Sequence, residues 1–328
     1  MIISRTPLRA SFFGGGSDFH DYYENSKFGY GSVLSTAINM YIYITVNKKF
    51  DDLIRVSYSK TELVESVDQV EHNIIREALK IAEIDKGIDI VYMGDIPLGS
   101  AGIGLASSSA LAVGVLNALF AYKGVHVTAE FLAQKACEIE INLLSNPIGK
   151  QDQYAVAYGG FNHFRFNSDG SVFVTPLICK NETKQQLQEN MMLFYTGVTR
   201  VSSHILSEQK ANIPDKTLFI DGLVELVDEA ILTLQKNDYH KIGKLMDESW
   251  KLKKNLSGGI TNDDIDYMYQ KALHAGALGG KILGAGGGGF LMLYVPKEKQ
   301  GYVRQALNSY REIDFKFEPQ GSKIIYVS

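Results

Sequence analysis

The sequence predicts an α+β fold in two lobes. Three observations carry the prediction. The first half reads as strands followed by helices. The second half changes character, with a cluster of helical patterns set among short strands. The chain has 328 residues, enough for one large domain or two ordinary ones. The change of character falls near residues 178–190, which gives an N-terminal lobe over 1–180 and a C-terminal lobe over 181–328.

In the first half, SVLSTAINMYIYITV (32–46) is β-branched and aromatic, and so predicts a strand. IRVSY (54–58) and IDIVYMG (88–94) predict two more, and EHNIIREALKIAEI (71–84) a helix. In the helix expected over 108–123, Leu111, Val115, Ala118, Leu119 and Tyr122 share one face, and Gly124 stands where a C-terminal cap glycine belongs. Thr128 is placed to cap a further helix, AEFLAQKACEIEINLL. After Pro147 come a loop containing GKQDQ and a hairpin, FNHFRF and VFVTPL joined by an NSDG turn.

The second half opens with the strand MMLFYTG (191–197), followed by helical patterns near 200–211, 216–235, 238–256 and 262–275. GGKILG and GFLMLYV read as strands, 297–310 as a helix and KIIYV as the last strand. With the extra helices set aside the order is β-α-β-β-α-β, that of a ferredoxin-like unit.

Composition narrows the function. The chain is 45% hydrophobic and 21% charged with a net charge of −4. It carries no basic block to grip a nucleic acid or an anionic membrane. The longest apolar stretch, 32–46, contains Ser, Thr and Asn and is too short to span a bilayer. The N-terminus lacks the apolar core of a signal peptide. Cys137 and Cys179 lie far apart and make no metal spacing, which fits buried thiols in a reduced compartment. A cytoplasmic protein is expected. Trp250, the sole tryptophan, is expected to pack on a helix face.

Three glycine runs suggest chemistry. PLGSAGIGLASSSALAVG (97–114) places glycines and serines before a helix. A helix start offers unpaired N–H groups and partial positive charge, and glycines allow close backbone approach, so the segment suits phosphate. It has no lysine and is not a Walker A loop. A flexible, ordinarily capped loop is the alternative. GAGGGGF (284–290) matches the G-x-G-x-x-G spacing, but a strand-like segment follows it, so it is not a dinucleotide fingerprint. It fits a tight turn bordering a phosphate site. RTPLRASFFGGGSDF (5–19) gathers Arg9, Gly14, Gly15, Gly16 and Asp18 around a turn.

Phosphoryl transfer needs Mg²⁺ and a group that positions or deprotonates the acceptor. At about 100° per residue, Leu132, Ala136, Ile139 and Leu143 share a helical face that Glu140 borders, while Glu130 and Glu138 point elsewhere. A metal or a buried salt bridge would each satisfy Glu140. Asp152, in GKQDQ, is either a solvated loop aspartate or a partner of Arg9.

The three runs, in this order, together with GKQDQYAVAYGG (149–160), resemble the superfamily of galactokinase, homoserine kinase, mevalonate kinase and phosphomevalonate kinase, across essentially the whole chain. The resemblance implies the two-lobed GHMP-kinase fold, with an N-terminal lobe like domain 2 of ribosomal protein S5 and a ferredoxin-like C-terminal lobe. It implies ATP and Mg²⁺ in the cleft between them. Gly102, Gly104, Ser107, Ser108 and Ser109 would wrap the ATP phosphates, with Gly286 and Gly287 bordering them. Ser108 and Glu140 would hold Mg²⁺. Asp152 would be the catalytic base and Arg9 its partner. Gly15, Gly16, Ser17, Asp18 and Arg200 would face the acceptor. The chain departs from the family pattern in the length between Pro97 and Gly104, and in carrying Ala106 where a glycine is usual.

GGGSD (14–18), with GKQDQYAVAYGG and YTGVTR (195–200), is most similar to bacterial D-glycero-D-manno-heptose 7-phosphate kinases, with L-fucokinase domains next. The implied reaction is phosphorylation of the anomeric C1 hydroxyl to give a 1,7-bisphosphate for nucleotide-activated heptose synthesis. The implied partners are ATP and a small sugar phosphate. Arg200, Arg165 and Lys281 are candidate holders of the 7-phosphate. The alternatives are another hexose 1-kinase, a mevalonate-branch decarboxylase and a catalytically silent sugar sensor. Oligomeric state is not readable from the sequence.

Overall fold

The computed structural model describes residues 1–96, 103–198 and 202–328. Gly102 and Arg200, both expected in the site, lie outside these residues. The chain begins with β1 (Ile2–Phe13), a short helix α1 (His20–Tyr23), the long strand β2 (Tyr30–Lys48), and β3 (Ile54–Ser57) and β4 (Thr61–Val64). Helix α2 (Asn73–Ile81), β5 (Ile88–Gly94), α3 (Ser107–Tyr122), α4 (Ala129–Cys137) and α5 (Gln151–Tyr158) follow. The hairpin β6 (Phe161–Asn167) and β7 (Val172–Pro176) and helix α6 (Asn181–Glu189) lead into the second half. There β8 (Met191–Tyr195) precedes α7 (Ser202–Ala211), α8 (Ile213–Gln235), α9 (Lys241–Lys253) and α10 (Asp263–His274). The chain closes with β9 (Gly279–Ile282), β10 (Phe290–Tyr294), α11 (Gln300–Ala306), β11 (Arg311–Glu312) and β12 (Lys323–Val327).

Two sheets result. The first runs β12-β1-β2-β5-β3-β4, with β6 on the N-terminal half of β2 and β7 beyond it. β2 changes character along its length. Residues 31–38 are buried without interruption, because α3 and α5 cover this part of the sheet from the first lobe and α8 covers it from the second. Further on, Ile42, Ile44 and Val46 point inward and alternate with more exposed neighbours. The expected single apolar face of α3 is too narrow. The helix is buried all round from Ser109 to Leu119, as befits a central core helix. Thr128 caps α4 as expected, accepting a hydrogen bond from the Phe131 N–H at 3.1 Å. Trp250 is packed away, with 1% of its surface exposed.

The second sheet runs β11-β8-β10-β9, all neighbours antiparallel. In chain order the strands stand 4-1-3-2, so the ferredoxin-like arrangement holds. Its fourth strand, however, is the short β11 and not KIIYV. KIIYV is β12, and it pairs antiparallel with β1 on the edge of the first sheet. The chain crosses back before it: Ile38 bridges Phe317, and the Glu318 N–H donates to the Ala37 carbonyl at 2.9 Å. A C-terminal lobe reaching residue 328 is therefore corrected. Apolar alternation identifies a strand, but the choice of sheet is made by pairing with residues 1–5, far away in sequence. No described helix is long and apolar enough to cross a membrane.

Candidate active site

β1 carries Arg9, which pairs with Ala37 of the long strand β2, so the guanidinium is delivered from a sheet. It is 2% exposed. Its Nε and Nη2 donate to Asp152 Oδ1 and Oδ2, both at 2.8 Å, a bidentate pair. Its Nη1 donates to the Gly104 carbonyl at 2.6 Å, and its backbone N–H to the Leu105 carbonyl at 3.2 Å. One arginine thus joins the first glycine run, the second, and the GKQDQ segment. Asp152 is not in a loop as expected. It lies in the first turn of α5, and a helix fixes the carboxylate more firmly than a loop would.

The turn after β1 depends on glycine. Gly14 sits at φ +82°, and a Cβ there would stand 1.8 Å from the Ser32 carbonyl oxygen. Asp18 follows, 2% exposed, and locks the turn to α5. Its carboxylate accepts from the Gly16 N–H at 3.1 Å, the Gln151 N–H at 3.2 Å and Gln151 Nε2 at 3.1 Å. Burial, and then the nearby Asp152 charge, raise its pKa above the usual carboxylate range. Gly15, Gly16 and Asp18 line a cavity with Arg9, Asp152 and Gln151. Ser17 does not join them, which corrects the expectation. Its hydroxyl is fully buried, has one proton to give to the Gly14 or the Ser32 carbonyl, each 2.8 Å away, and accepts from the Ser32 N–H at 2.9 Å, stapling the turn to β2.

The second and third glycine runs meet backbone to backbone. A Cβ on Gly104 (φ +82°) would fall 2.3 Å from the Leu283 carbonyl oxygen, and one on Gly284 would fall 2.5 Å from Gly104 Cα. Neither position has room for a methyl group. Gly284 lines the cavity, whereas Gly286 and Gly287, expected to border the nucleotide phosphates, do not line it. They pack on Ile260, whose carbonyl accepts from the Gly287 N–H at 2.8 Å. Ala106, where the pattern usually has glycine, takes the left-handed conformation a glycine would, at φ +65°. It starts α3 without a side-chain cap, so the N–H groups around Ser107 remain available to an anion.

Glu140 is 0% exposed. After α4 the helix widens into a π-turn, Glu138–Leu143, closed by the Leu144 N–H on the Ile139 carbonyl at 2.9 Å. The extra residue per turn moves the periodicity by one place. Leu143, expected inward, is 50% exposed, and Glu140, expected at the border, points in. Glu130 and Glu138 do point elsewhere, to Tyr154 and Tyr158 and to Lys135 respectively. Glu140 Oε2 accepts from Ser109 Oγ at 2.6 Å and Gln153 Nε2 at 2.7 Å. Ser109 is thus turned into the core rather than toward a phosphate, while Ser108 is exposed and Ser107 half-buried. Burial raises the Glu140 pKa, and the Ser109 and Gln153 hydrogen bonds, with the Ser108 hydroxyl nearby, oppose the shift. Glu140 Oε1 is buried and has no partner among the described residues. A bare carboxylate oxygen beside a serine hydroxyl is a donor set that suits Mg²⁺, which takes one or two protein oxygens and completes its shell with phosphate and water.

Two family models match the chain: GHMP kinases N terminal domain over residues 72–160, and GHMP kinases C terminal over 230–312. A D-glycero-alpha-D-manno-heptose 7-phosphate kinase of Campylobacter jejuni is 30% identical, covering 98% of each chain. The chain belongs to the GHMP kinase family. A GHMP kinase takes its phosphoryl group from ATP, and this chain is accordingly an ATP-dependent phosphotransferase. Among solved structures, a D-glycero-D-manno-heptose 1-phosphate kinase from Bacteroides thetaiotaomicron superposes with a TM-score of 0.83 at 26% identity, covering all of both chains. An L-fucokinase/L-fucose-1-P guanylyltransferase of Bacteroides fragilis is 25% identical over 93% of this chain but only 35% of its own length.

This GHMP kinase also uses residues that sequence patterns leave inconspicuous. Gln151 and Gln153 flank Asp152 and fix Asp18 and Glu140. Lys253, 4% exposed, lines the cavity with Arg9 and Asp152, next to Lys281, a candidate from the sequence, 2% exposed. Of the three candidate phosphate holders, Arg165 stacks over the Tyr30 ring at 3.9 Å and does not line the cavity, whereas Lys281 does. A second, largely apolar cavity is lined by Met40, Ile96, Ile103, Tyr195, Phe290 and Ile313, with Asp95 and Arg311 also on it.

Proposed function

We propose that this GHMP kinase transfers the γ-phosphoryl group of ATP to the anomeric C1 hydroxyl of D-glycero-D-manno-heptose 7-phosphate, giving the 1,7-bisphosphate used to build nucleotide-activated heptose. One observation carries the reading. Asp152, clamped by Arg9, opens on a cavity lined by the first and third glycine runs, and Arg9 ties the second run to it through the Gly104 carbonyl.

Each Asp152 oxygen keeps a lone pair beyond its bond to Arg9, and the acceptor hydroxyl donates to one of them. As the C1 oxygen attacks the γ-phosphorus in line, Asp152 takes its proton and ADP leaves. The uncapped start of α3 offers N–H groups and the positive end of its dipole to the phosphates. Ser108 and Glu140 Oε1 would hold Mg²⁺, and the ion would supply charge neutralisation for the phosphates. The second, largely apolar cavity accepts the nucleotide base. Asp18, its carboxylate facing the acceptor cavity, accepts from sugar hydroxyls.

The relative of C. jejuni supports the heptose phosphate acceptor, and the weaker likeness to part of a bifunctional fucokinase supports the alternative of an unphosphorylated hexose. A coupled assay of ADP release separates them, with heptose 7-phosphate, the unphosphorylated heptose, fucose, galactose and mannose compared side by side. Heptose 7-phosphate is expected to give the highest kcat/KM. Equal values with and without the 7-phosphate point to another acceptor, and silence with every sugar points to a sensor.

A further inference from the structure

Lys253 is the last residue of α9, in the sequence ESWKLKK. Its two close lysine neighbours behave as surface residues: Lys251 pairs with Asp247 at 2.5 Å and Lys254 with Asp266 at 3.2 Å. Lys253 points the other way. It is 4% exposed, lines the acceptor cavity and has no ion-pair partner among the described residues. Its amine donates to the Gly284 carbonyl. Gly284 abuts Gly104, and the Gly104 carbonyl holds Arg9 Nη1. Two touching glycines, one from each lobe, therefore each hold a cation by a carbonyl. The groups facing Lys253 are Arg9 from β1, Asp18 from the turn that follows, Asp152 from α5 and Lys281 from β9.

We propose that Lys253 is a second catalytic cation, supplied from the second lobe beside Arg9, that contacts the phosphoryl group in transit from ATP to the acceptor oxygen. The inference rests on the reading of this cleft as the phosphoryl-transfer site. A buried ammonium without a counter-ion is costly, and the cost is relieved when an anion arrives. Here the anion is the transferring group, whose charge spreads over its peripheral oxygens. The P–O bond to ADP breaks, the P–O bond to the acceptor forms and the hydroxyl proton goes to Asp152. Lys253 stays protonated throughout and donates hydrogen bonds only. Burial, and then Arg9, lower its pKa to about 8, with Asp18 and Asp152 opposing. An ammonium poised there is charged at neutral pH and loses its proton just above it.

The test uses Lys253→Met, with Lys253→Gln in reserve if the methionine variant fails to fold, and Lys253→Arg. The proposal expects Lys253→Met to lower kcat by about 10²-fold or more, with acceptor KM changed by less than about threefold. It expects the wild-type rate to fall above about pH 8 and Lys253→Arg to remove that fall. Calorimetry with ADP plus aluminium fluoride, which mimics the phosphoryl group in transit, gives a readout independent of any sugar. The wild type should bind ADP with fluoride more tightly than ADP alone, and Lys253→Met should lose that difference while binding ADP normally. Equal tightening by fluoride in both proteins would overturn the proposal. So would a rise in KM confined to the phosphorylated acceptor, because Lys253 would then hold the acceptor's own phosphate. If no sugar is turned over, the acceptor reading fails while the fluoride comparison still decides the role of Lys253.

Discussion

Asp152 and Lys253 show how differently two residues of one cavity can be read from sequence. Asp152 and Arg9 stand out because they lie in motifs whose order is specific, and the structure brings them within hydrogen-bond distance. Asp152→Ala should lower turnover by about 10²-fold or more while the protein stays folded, as checked by ADP release and thermal melting. Near-normal turnover in a folded variant would remove the base from the mechanism. Lys253 sits in a run of lysines at a helix end, the composition of a solvated surface, and nothing local says that this one faces inward. Its burial makes a stability prediction. The native state holds the proton only up to about pH 8, whereas the unfolded chain holds it to about 10.5. Between these values the unfolded state binds more protons, so stability rises with pH across that window and is lost as pH falls back through 8. The cost at neutral pH is at most about 3 kcal/mol. Without nucleotide, Lys253→Met should therefore be more stable than the wild type at pH 7, with the gap closing toward pH 10. Denaturant melts of both proteins over pH 7–10 measure this, and a constant gap would contradict it. Lys281 shifts in the same direction, through burial and then the Lys253 charge, so its relief in Lys253→Met adds to the same gap.

Helix periodicity is legible at the scale of an element until the geometry of the element itself changes. The spacing of Leu132, Ala136 and Ile139 correctly orients α4, and all three are buried. One turn later the π-turn advances the pattern by a residue, and a sequence read at the α-helical period places Leu143 inside and Glu140 at the edge. The π-turn is less favourable than continued α-helix, and its return is a carboxylate oxygen aimed inward with no protein partner among the described residues. Deleting the exposed Asn142 should restore the α-helical period, turn Leu143 inward and draw the segment away from the site. We expect a folded protein with a melting temperature within a few degrees of the wild type and ADP release reduced by about 10²-fold or more. Retained activity would show that Glu140 keeps its place without the widened turn. Most strands were legible because β-branching and aromatic content mark them, but β1, whose motif reads as a turn, and the four-residue β4 were not. α6 and the two-residue β11 were not, since one is polar throughout most of its length and the other is too short to carry a period.

At the scale of the whole molecule, the least legible feature is the return of the chain to its first sheet. KIIYV reads as a strand, but pairing across more than three hundred residues leaves no local trace. The order of the second sheet is recoverable from element types alone, whereas the owner of the final strand is not. A chain ending at residue 320 should therefore lose stability in the first lobe although the missing residues follow the second in sequence. It should expose the edge of β1 and show a lower melting temperature and concentration-dependent association, measured by light scattering. An unchanged melting temperature would make β12 dispensable. The same return path sets a schedule for synthesis. As the polypeptide leaves the ribosome, β1 is made about three hundred residues before its outer neighbour. The whole helical half must emerge while one flank of β1 stands bare, so the first sheet is finished only after the second lobe has been translated, and for that interval the nascent enzyme carries an open seam that a chaperone or a second nascent chain can occupy.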